Sequence, residues 1–280
     1  MGQLNNPHRT QSTSLSRLVR NIAINRQLIY QMVKRDVIGR YKGSVFGVAW
    51  SFFNPIFMLV IYTFVFSIVF KAKWAGAASD SKTEFSLILF TGMIVFGLFS
   101  EAINRAPSLV ISNVNYVKKV VFPLEMLPII SMGSALFHSF VSLLILLVAF
   151  ILVNGYLPWT AIYIPVVFAP LIILSLGISW FLASLGVFMR DVGQTVGLLT
   201  TVLMFVSPIF YPLSSLPQEF QGWVALSPVS FIIEQARAIL IFGLSPDWQG
   251  LALYAIVALL FMWLGFAWFQ KTRKGFADVL

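Results

Sequence analysis

Residues 36–70 read DVIGRYKGSVFGVAWSFFNPIFMLVIYTFVFSIVF, a stretch that opens with alternating charges and glycines and then turns wholly uncharged. From Gly47 to Phe70 there are 24 positions without a charged side chain. At about 1.5 Å rise per residue, such a helix spans the roughly 30 Å hydrocarbon layer of a bilayer. Asn54 and Pro55 interrupt it with a polar amide and a residue that cannot donate a helical hydrogen bond, so a bend is expected there. The composition of the whole chain agrees: 59% of its 280 residues are hydrophobic and 10% charged, too few polar side chains to cover a water-soluble globule. The fold class is an all-α integral membrane protein.

Five more spans are predicted by the same test, at Phe85 to Ser100, Met126 to Val153, Thr160 to Met189, Val192 to Tyr211 and Leu251 to Phe269, the second reaching full length only by extending past Glu101 toward Asn104. Their apolar residues surround the helix instead of forming one stripe, and they lack the period-two alternation of a membrane β-barrel. Lys and Arg number 8 before Gly47, 3 in residues 71–84, 3 in 104–123, 1 at Arg190, 1 in 212–250 and 3 after Phe269. With the N-terminus inside, 15 of the 19 fall on the cytoplasmic side, as the positive-inside rule requires, so both termini are expected in the cytoplasm. The net charge of +9 is explained by this topology and by anionic headgroups, with no need of nucleic acid as a partner. Residues 1–46 carry basic residues throughout and no apolar run of a secretory signal, so the first span is expected to stay as an anchor. The expected organisation is a cytoplasmic segment 1–46, a six-span domain 47–270 and a cytoplasmic tail 271–280.

The absence of cysteine excludes disulfides, thiolate metal sites and cysteine nucleophiles, and the two histidines, His8 and His138, lie far apart. No GxxxxGK phosphate loop occurs, so no cofactor is expected in this chain; ATP and magnesium would belong to another subunit. Three segments between spans attract attention. Residues 15–33 space their apolar positions helically with Arg17, Arg20 and Arg26 interleaved, which suits a helix in the membrane interface or one packed on a partner. Residues 105–123 form the longest polar interruption on the inner side; they are a docking helix ending near Lys118 and Lys119, or a plain basic loop. Residues 207–250 place short apolar runs between Pro212, Pro217, Pro228 and Pro246, as a re-entrant segment or an external cap would.

Four stretches then act together: VKRDVIGRYKGSVFGVAWSFFNPIFMLVIYTFVF (33–66), YVKKVVFPLEMLPI (116–129), FMRDVGQTVGLLTTVLMFVSPIFYP (188–212) and LSPVSFIIEQARAILIFG (226–243). In order, and over essentially the whole chain, they resemble the membrane subunits of ABC-2 polysaccharide exporters. The likeness is nearest to the Wzm-type O-antigen permeases, with teichoic-acid and capsule permeases as cousins. The resemblance implies a homodimer of six-span subunits, each served from the cytoplasm by an ABC ATPase subunit, moving an undecaprenyl-linked glycan across the bacterial inner membrane. It implies an N-terminal interface helix, a coupling helix within 105–123 with Asn115, Tyr116, Lys118 and Lys119 at the ATPase, and re-entrant gate helices within 212–250. The first and fifth spans would line the route, which makes Phe52, Phe53, Phe57, Phe205, Phe210 and Tyr211 candidates for wall or gate.

A long polar polymer must slide without being gripped, and sugar faces stack weakly on aromatic rings, which make up 15% of this chain. Lipid contact or helix packing is the competing explanation for each Phe; Tyr211 stands apart because Pro208 and Pro212 flank it. Arg35, Arg40 and Lys42 anchor the inner end of the first span and are candidates for the lipid-linked phosphates. Of the polar groups within reach of the membrane, Glu101 and Glu125 are expected to pair with Lys118 or Lys119, Asn54 to satisfy carbonyls at the bend, His138 to bond a neighbouring helix, and Arg190 with Asp191 to form an ion pair at an inner turn. A teichoic-acid, capsule or small-molecule ABC-2 permease is the alternative. A secondary transporter is a more distant rival, disfavoured by the scarcity of acids within the spans.

Overall fold

The computed structural model describes residues 13–69, 82–118 and 122–280, and among them the regular structure is entirely helical. Two short helices, α1 (Leu15–Ile24) and α2 (Arg26–Arg40), precede the first span. The sequence pattern suggested one helix there; the chain instead breaks at Asn25, whose amide nitrogen donates to Asn21 O at 2.8 Å. Such local side-chain bonding is how asparagine competes with a helical ladder. One face of α2 packs on the bundle, where Gly133 leaves room for Val33: a Cβ at 133 would lie 2.6 Å from a Val33 methyl.

The first span starts from two left-handed glycines, Gly43 (φ 87°) and Gly47 (φ 52°), a backbone state that side chains resist. Helix α3 (Trp50–Tyr62) follows, carrying Pro55, and passes into a π-helical turn over Thr63–Val69. The continuous apolar helix is Gly47–Phe66; the remainder of the predicted span, at Phe70, lies outside the described residues. The second passage extends past Glu101, as its short apolar run requires: α4 (Lys82–Arg105) with its 3-10 extension gives an apolar helix over Thr83–Ser108. It carries Glu101 and Arg105 inside the helix because both are paired there, as described below. The 105–123 segment forms 3-10 turns at Ala106–Ser108 and Ile111–Asn113 and the five-residue α5 (Val114–Lys118).

Helices α6 (Met126–Asn154), α7 (Ile164–Phe188) and α11 (Trp248–Thr272) cross in full. Helix α7 and α11 approach so closely that a Cβ at Gly265 would lie 2.0 Å from Gly177 O. Small residues serve this purpose in membranes, where packing and not water release drives association. The predicted fifth span is shorter as a helix: α8 (Val192–Val206) covers about 22 Å at 1.5 Å per residue, and the chain is extended at Ser207 before Pro208. Helices α9 (Gln218–Ala225) and α10 (Ser230–Leu240) follow, bent by 92° to one another.

Both described ends of the chain meet at one end of the bundle. Asn21 of α1 and Arg273 both reach Glu125 at the start of α6, and Phe276 of α12 (Phe276–Val279) packs on Phe188 and Phe269. An even number of crossings is therefore required, and α8 completes it by running from Pro107 at this end to the rings of Phe66 and Phe85 at the other. Helix α4 is the centre of the bundle, with 78% of its span buried, against 6% for the first span.

Candidate functional site

At the end holding the termini, α2, α4 and α6 meet in a charged hub. Arg40 Nη2 contacts Glu101 Oε1 at 2.5 Å, and Arg105 Nη1 lies 3.8 Å from the same oxygen. Arg105 also grips Asp36 through Nη2, at 2.9 and 2.8 Å to the two carboxylate oxygens. Ser134 Oγ of α6 donates to Asp36 Oδ2 at 2.5 Å. His138 Nδ1 lies 3.1 and 3.2 Å from the Glu101 oxygens and 3.2 Å from Arg40 Nη1. A guanidinium has no lone pair, so Nδ1 either accepts from Arg40 or donates to Glu101. Donation to Glu101 is the better arrangement, because His138 Nε2 is buried and without a partner among the described residues, and this tautomer puts no proton there.

Asp36 lies outside the spans, and its carboxyl sits below its ordinary 3.8. Burial pushes it up, but the hydrogen bonds from Ser134 and Arg105 and the charges of Arg105 and Arg40 outweigh that push. The hub replaces the pairing expected from sequence: among the described residues Glu101 is met by Arg40, Arg105 and His138, not by Lys118. Glu125 pairs with Arg273 at 2.7 Å and accepts from Asn21. The expected Arg190–Asp191 ion pair is absent among the described residues; the Asp191 carbonyl instead accepts from the amides of Gln194 and Thr195 at the start of α8. His138 does bond a neighbouring helix, as expected. Above the hub, a cavity of about 190 Å³ opens between α3, α4 and α6 beside Pro55, with Asn54, Tyr62, His138, Ser139 and Ser142 on its wall. Asn54 lines this space and makes no side-chain hydrogen bond to a carbonyl of α3 among the described residues, contrary to expectation.

Arg35 and Lys42 flank the hub. Lys42 is exposed, whereas Arg35 Nη2 donates to Tyr116 Oη at 3.1 Å and so ties α2 to α5. Tyr116 stacks on Phe122 with ring centres 4.6 Å apart. Asn115 and Lys118 are exposed on α5, and Lys119 lies outside the described residues.

The aromatic candidates fall into two groups. On α3, rings run from Phe46 through Trp50 and Phe53 to Phe57 at 5.6–6.5 Å spacing, and Phe52, Phe53 and Phe57 are all exposed in the single subunit. At the far end, Phe205, Phe210, Phe66 and Phe85 form a stacked ladder with centres 6.0, 5.8 and 6.0 Å apart. Offset stacking of this kind adds to apolar burial. Tyr211 has a local duty beside it: its hydroxyl donates to Val206 O at 2.6 Å and Phe205 O at 3.2 Å. These are the carbonyls orphaned where α8 stops, so the tyrosine caps the helix that Pro208 terminates.

Arg237 was not singled out from the sequence, where it counted only as an outer-side charge. It is fully buried on α10 and bonds Ile88 O, Pro208 O, Ile209 O and Glu234. The available signal was a lone guanidinium in IIEQARAIL, three residues after an acid and otherwise amid apolar side chains.

An exposed first span, a short α8 that ends before Pro208 and a bent helix pair occur together in one membrane chain, and the model of the family described as ABC-2 type transporter matches residues 27–241. The chain belongs to the ABC-2 type transporter family. Full-length relatives carry the comparison further than that model. The chain is 27% identical over 264 residues to the O-antigen export system permease protein RfbA of Myxococcus xanthus, covering 94% of this chain and 98% of the relative. It is 26% identical to a protein of the same description from Klebsiella pneumoniae, over 90% and 95% of the two chains. The polysialic acid transport protein KpsM of Escherichia coli is 22% identical over 86% and 91%. In this ABC-2 chain α4 is the packed centre, with 78% of its span buried, and the other spans expose more of their surface: 44% of the α7 span is buried, 22% of α11, 17% of α6 and 6% of the first span.

Proposed function

We propose that the chain is the membrane subunit of an ATP-driven exporter that moves a lipid-linked polysaccharide, of O-antigen type, out of the bacterial cytoplasm. One observation carries the reading: α3 leaves Phe52, Phe53 and Phe57 bare, and α8 leaves Phe205 bare, in a chain that aligns almost end to end with permeases named for O-antigen export. Phe52, Phe53, Phe57 and Phe205 then belong to the wall of the route, with Phe210 and Tyr211 at its far end. A second copy of the subunit, related by a twofold axis, completes that wall and covers the remaining α3 surface. Both termini face the cytoplasm, where Asn115, Tyr116, Lys118 and Lys119 contact an ABC ATPase subunit that holds ATP and magnesium. Helices α9 and α10 form the re-entrant gate. Arg35, Arg40 and Lys42 attract the phosphates that join the glycan to its undecaprenyl carrier, a task suited to guanidinium geometry.

The test compares cells carrying and lacking this chain, with the ATPase partner present in both. Lipid-linked glycan is expected to accumulate on the inner face only when the chain is missing. Glycan reaching the surface without it would reject the cargo, and a smaller substrate of the same family would take its place.

A further inference from the structure

Arg237 is 0% exposed on α10, in a helix whose other buried residues include Ile232, Ile233, Ala236 and Ile239. A guanidinium so placed is costly unless its donors are met, and they are met from three parts of the fold. Nε donates to Ile88 O of α4 at 3.2 Å, Nη1 to Pro208 O at 2.6 Å, and Nη2 to Ile209 O at 2.8 Å. Glu234 Oε1 accepts from Nη1 at 3.0 Å.

The two middle acceptors lie where α8 has ended and Ser207 is extended, so the segment presents carbonyls outside any helical ladder. Position 92 adds a second sign of fit. A Cβ there would stand 2.9 Å from Arg237 Nη2, so glycine lets the guanidinium lie against the α4 backbone. The residue after Ile209 is Phe210, which stacks between Phe66 and Phe205.

We infer that Arg237 is a positioning residue for transport: it pins the broken end of α8, and with it the Phe205–Phe210–Phe66 ladder, to α4, and this end of the route opens only when those carbonyl bonds exchange. The inference rests on the proposed reading of α3 and α8 as the wall of the route. Glu234 is half-exposed and lies on the same helix, so it stays with the guanidinium when Pro208 and Ile209 move. Backbone carbonyls suit a pin of this kind, because the segment can leave without stranding a buried carboxylate.

The experiment uses the permease with its ATPase partner in phospholipid vesicles loaded with a small anionic fluorophore, without nucleotide. Gly92→Ala keeps every hydrogen-bonding group and only displaces the guanidinium. Gly97→Ala is its control on the same helix, since a Cβ at 97 meets nothing within 4 Å. Arg237→Lys keeps the charge with fewer, non-planar donors. Leak is expected to rise about ten-fold in Gly92→Ala and Arg237→Lys, the shift in an open-to-closed ratio that follows from losing one charged hydrogen bond, and to be unchanged in Gly97→Ala. A purely structural role predicts a lower melting temperature with wild-type leak in Gly92→Ala, and that result overturns the inference. The assay contains no glycan, so a wrong cargo leaves it untouched.

Discussion

Exchange of Glu101 for glutamine separates the structural duty of Arg40 from any duty toward phosphate. The substitution keeps the side-chain shape but removes the charge that faces Arg40 Nη2 at 2.5 Å, His138 Nδ1 at 3.1 Å and Arg105 Nη1 at 3.8 Å. Arg105 is not stranded, because Asp36 still accepts twice from it. The cost therefore falls on Arg40 and His138. Breaking a fully buried ion pair costs about 3–5 kcal/mol and a surface pair about 0–1 kcal/mol. With the Glu101 side chain 20% exposed and Arg40 38% exposed, the contact lies between these limits, at about 1–3 kcal/mol.

The assay is equilibrium unfolding of the detergent-solubilised protein by graded SDS, followed by circular dichroism, on wild type, Glu101→Gln, Arg40→Gln and the double variant. A coupling energy of about 1 kcal/mol or more is expected, with the double variant hardly worse than either single one. Additivity within about 0.5 kcal/mol, with Glu101→Gln as stable as wild type, would show that the hub contributes nothing and that Arg40 is free for other work. Loss of export in Arg40→Gln without loss in Glu101→Gln assigns the guanidinium to the lipid phosphates.

Gly265→Ala is expected to force α7 and α11 apart, because its Cβ would meet Gly177 O at 2.0 Å and backbone cannot swing aside as a side chain can; a loss of about 1–3 kcal/mol or more is the expected reading in the same unfolding assay. Tyr211→Phe keeps the ring but removes the cap on Val206 O and Phe205 O, and a loss of about 1 kcal/mol is expected from it. Asp36 contributes in a pH-dependent way: its folded value lies below the unfolded one, so its stabilisation is complete above the ordinary carboxylate range and disappears as pH falls through the folded value. An acid titration of melting temperature should show a limb below 3.8 that Asp36→Asn flattens; an unchanged limb in the variant would refute the assignment.

The spans and the end that gathers the termini were legible because burial in lipid is written along the chain, as uninterrupted apolar runs with basic residues at their ends. The break after α8 was legible too, since Pro208 and Pro212 forbid a helical ladder whatever surrounds them. Partner choice was not. Arg40 and Glu101 are 61 residues apart, and Asp36 and Ser134 are 98 apart, so only the packing of α2 against α4 and α6 reveals that they meet. Arg237 was hidden by the same limit, for a charge looks external until three backbone carbonyls are found around it.

Differences of packing also grade the spans, from α4 with 78% of its span buried to the first span with 6%. Helices α4 and α11 run without proline, and Pro170 within α7 is buried among neighbours that hold it. Glycines at 177, 186 and 265 let backbone meet backbone in this part, which leaves little freedom for sliding. The other interruptions lie on α3 and α8: Pro55 and the π turn on the α3 span, and the extended Ser207–Pro208 end of α8, where Pro55, Ser207 and Pro208 are themselves buried. Sharp bends arise at such interruptions. Uncovered aromatic residues lie beside these interruptions, Phe52, Phe53 and Phe57 on α3 and Phe205 on α8, and also on α11 at Trp248, Phe261, Trp263 and Trp268. The ATPase contact proposed at α5 is joined to α4 and α6 by a continuous chain of bonds, through Tyr116–Arg35 into α2 and from α2 through Asp36 and Arg40 to the Pro55 cavity.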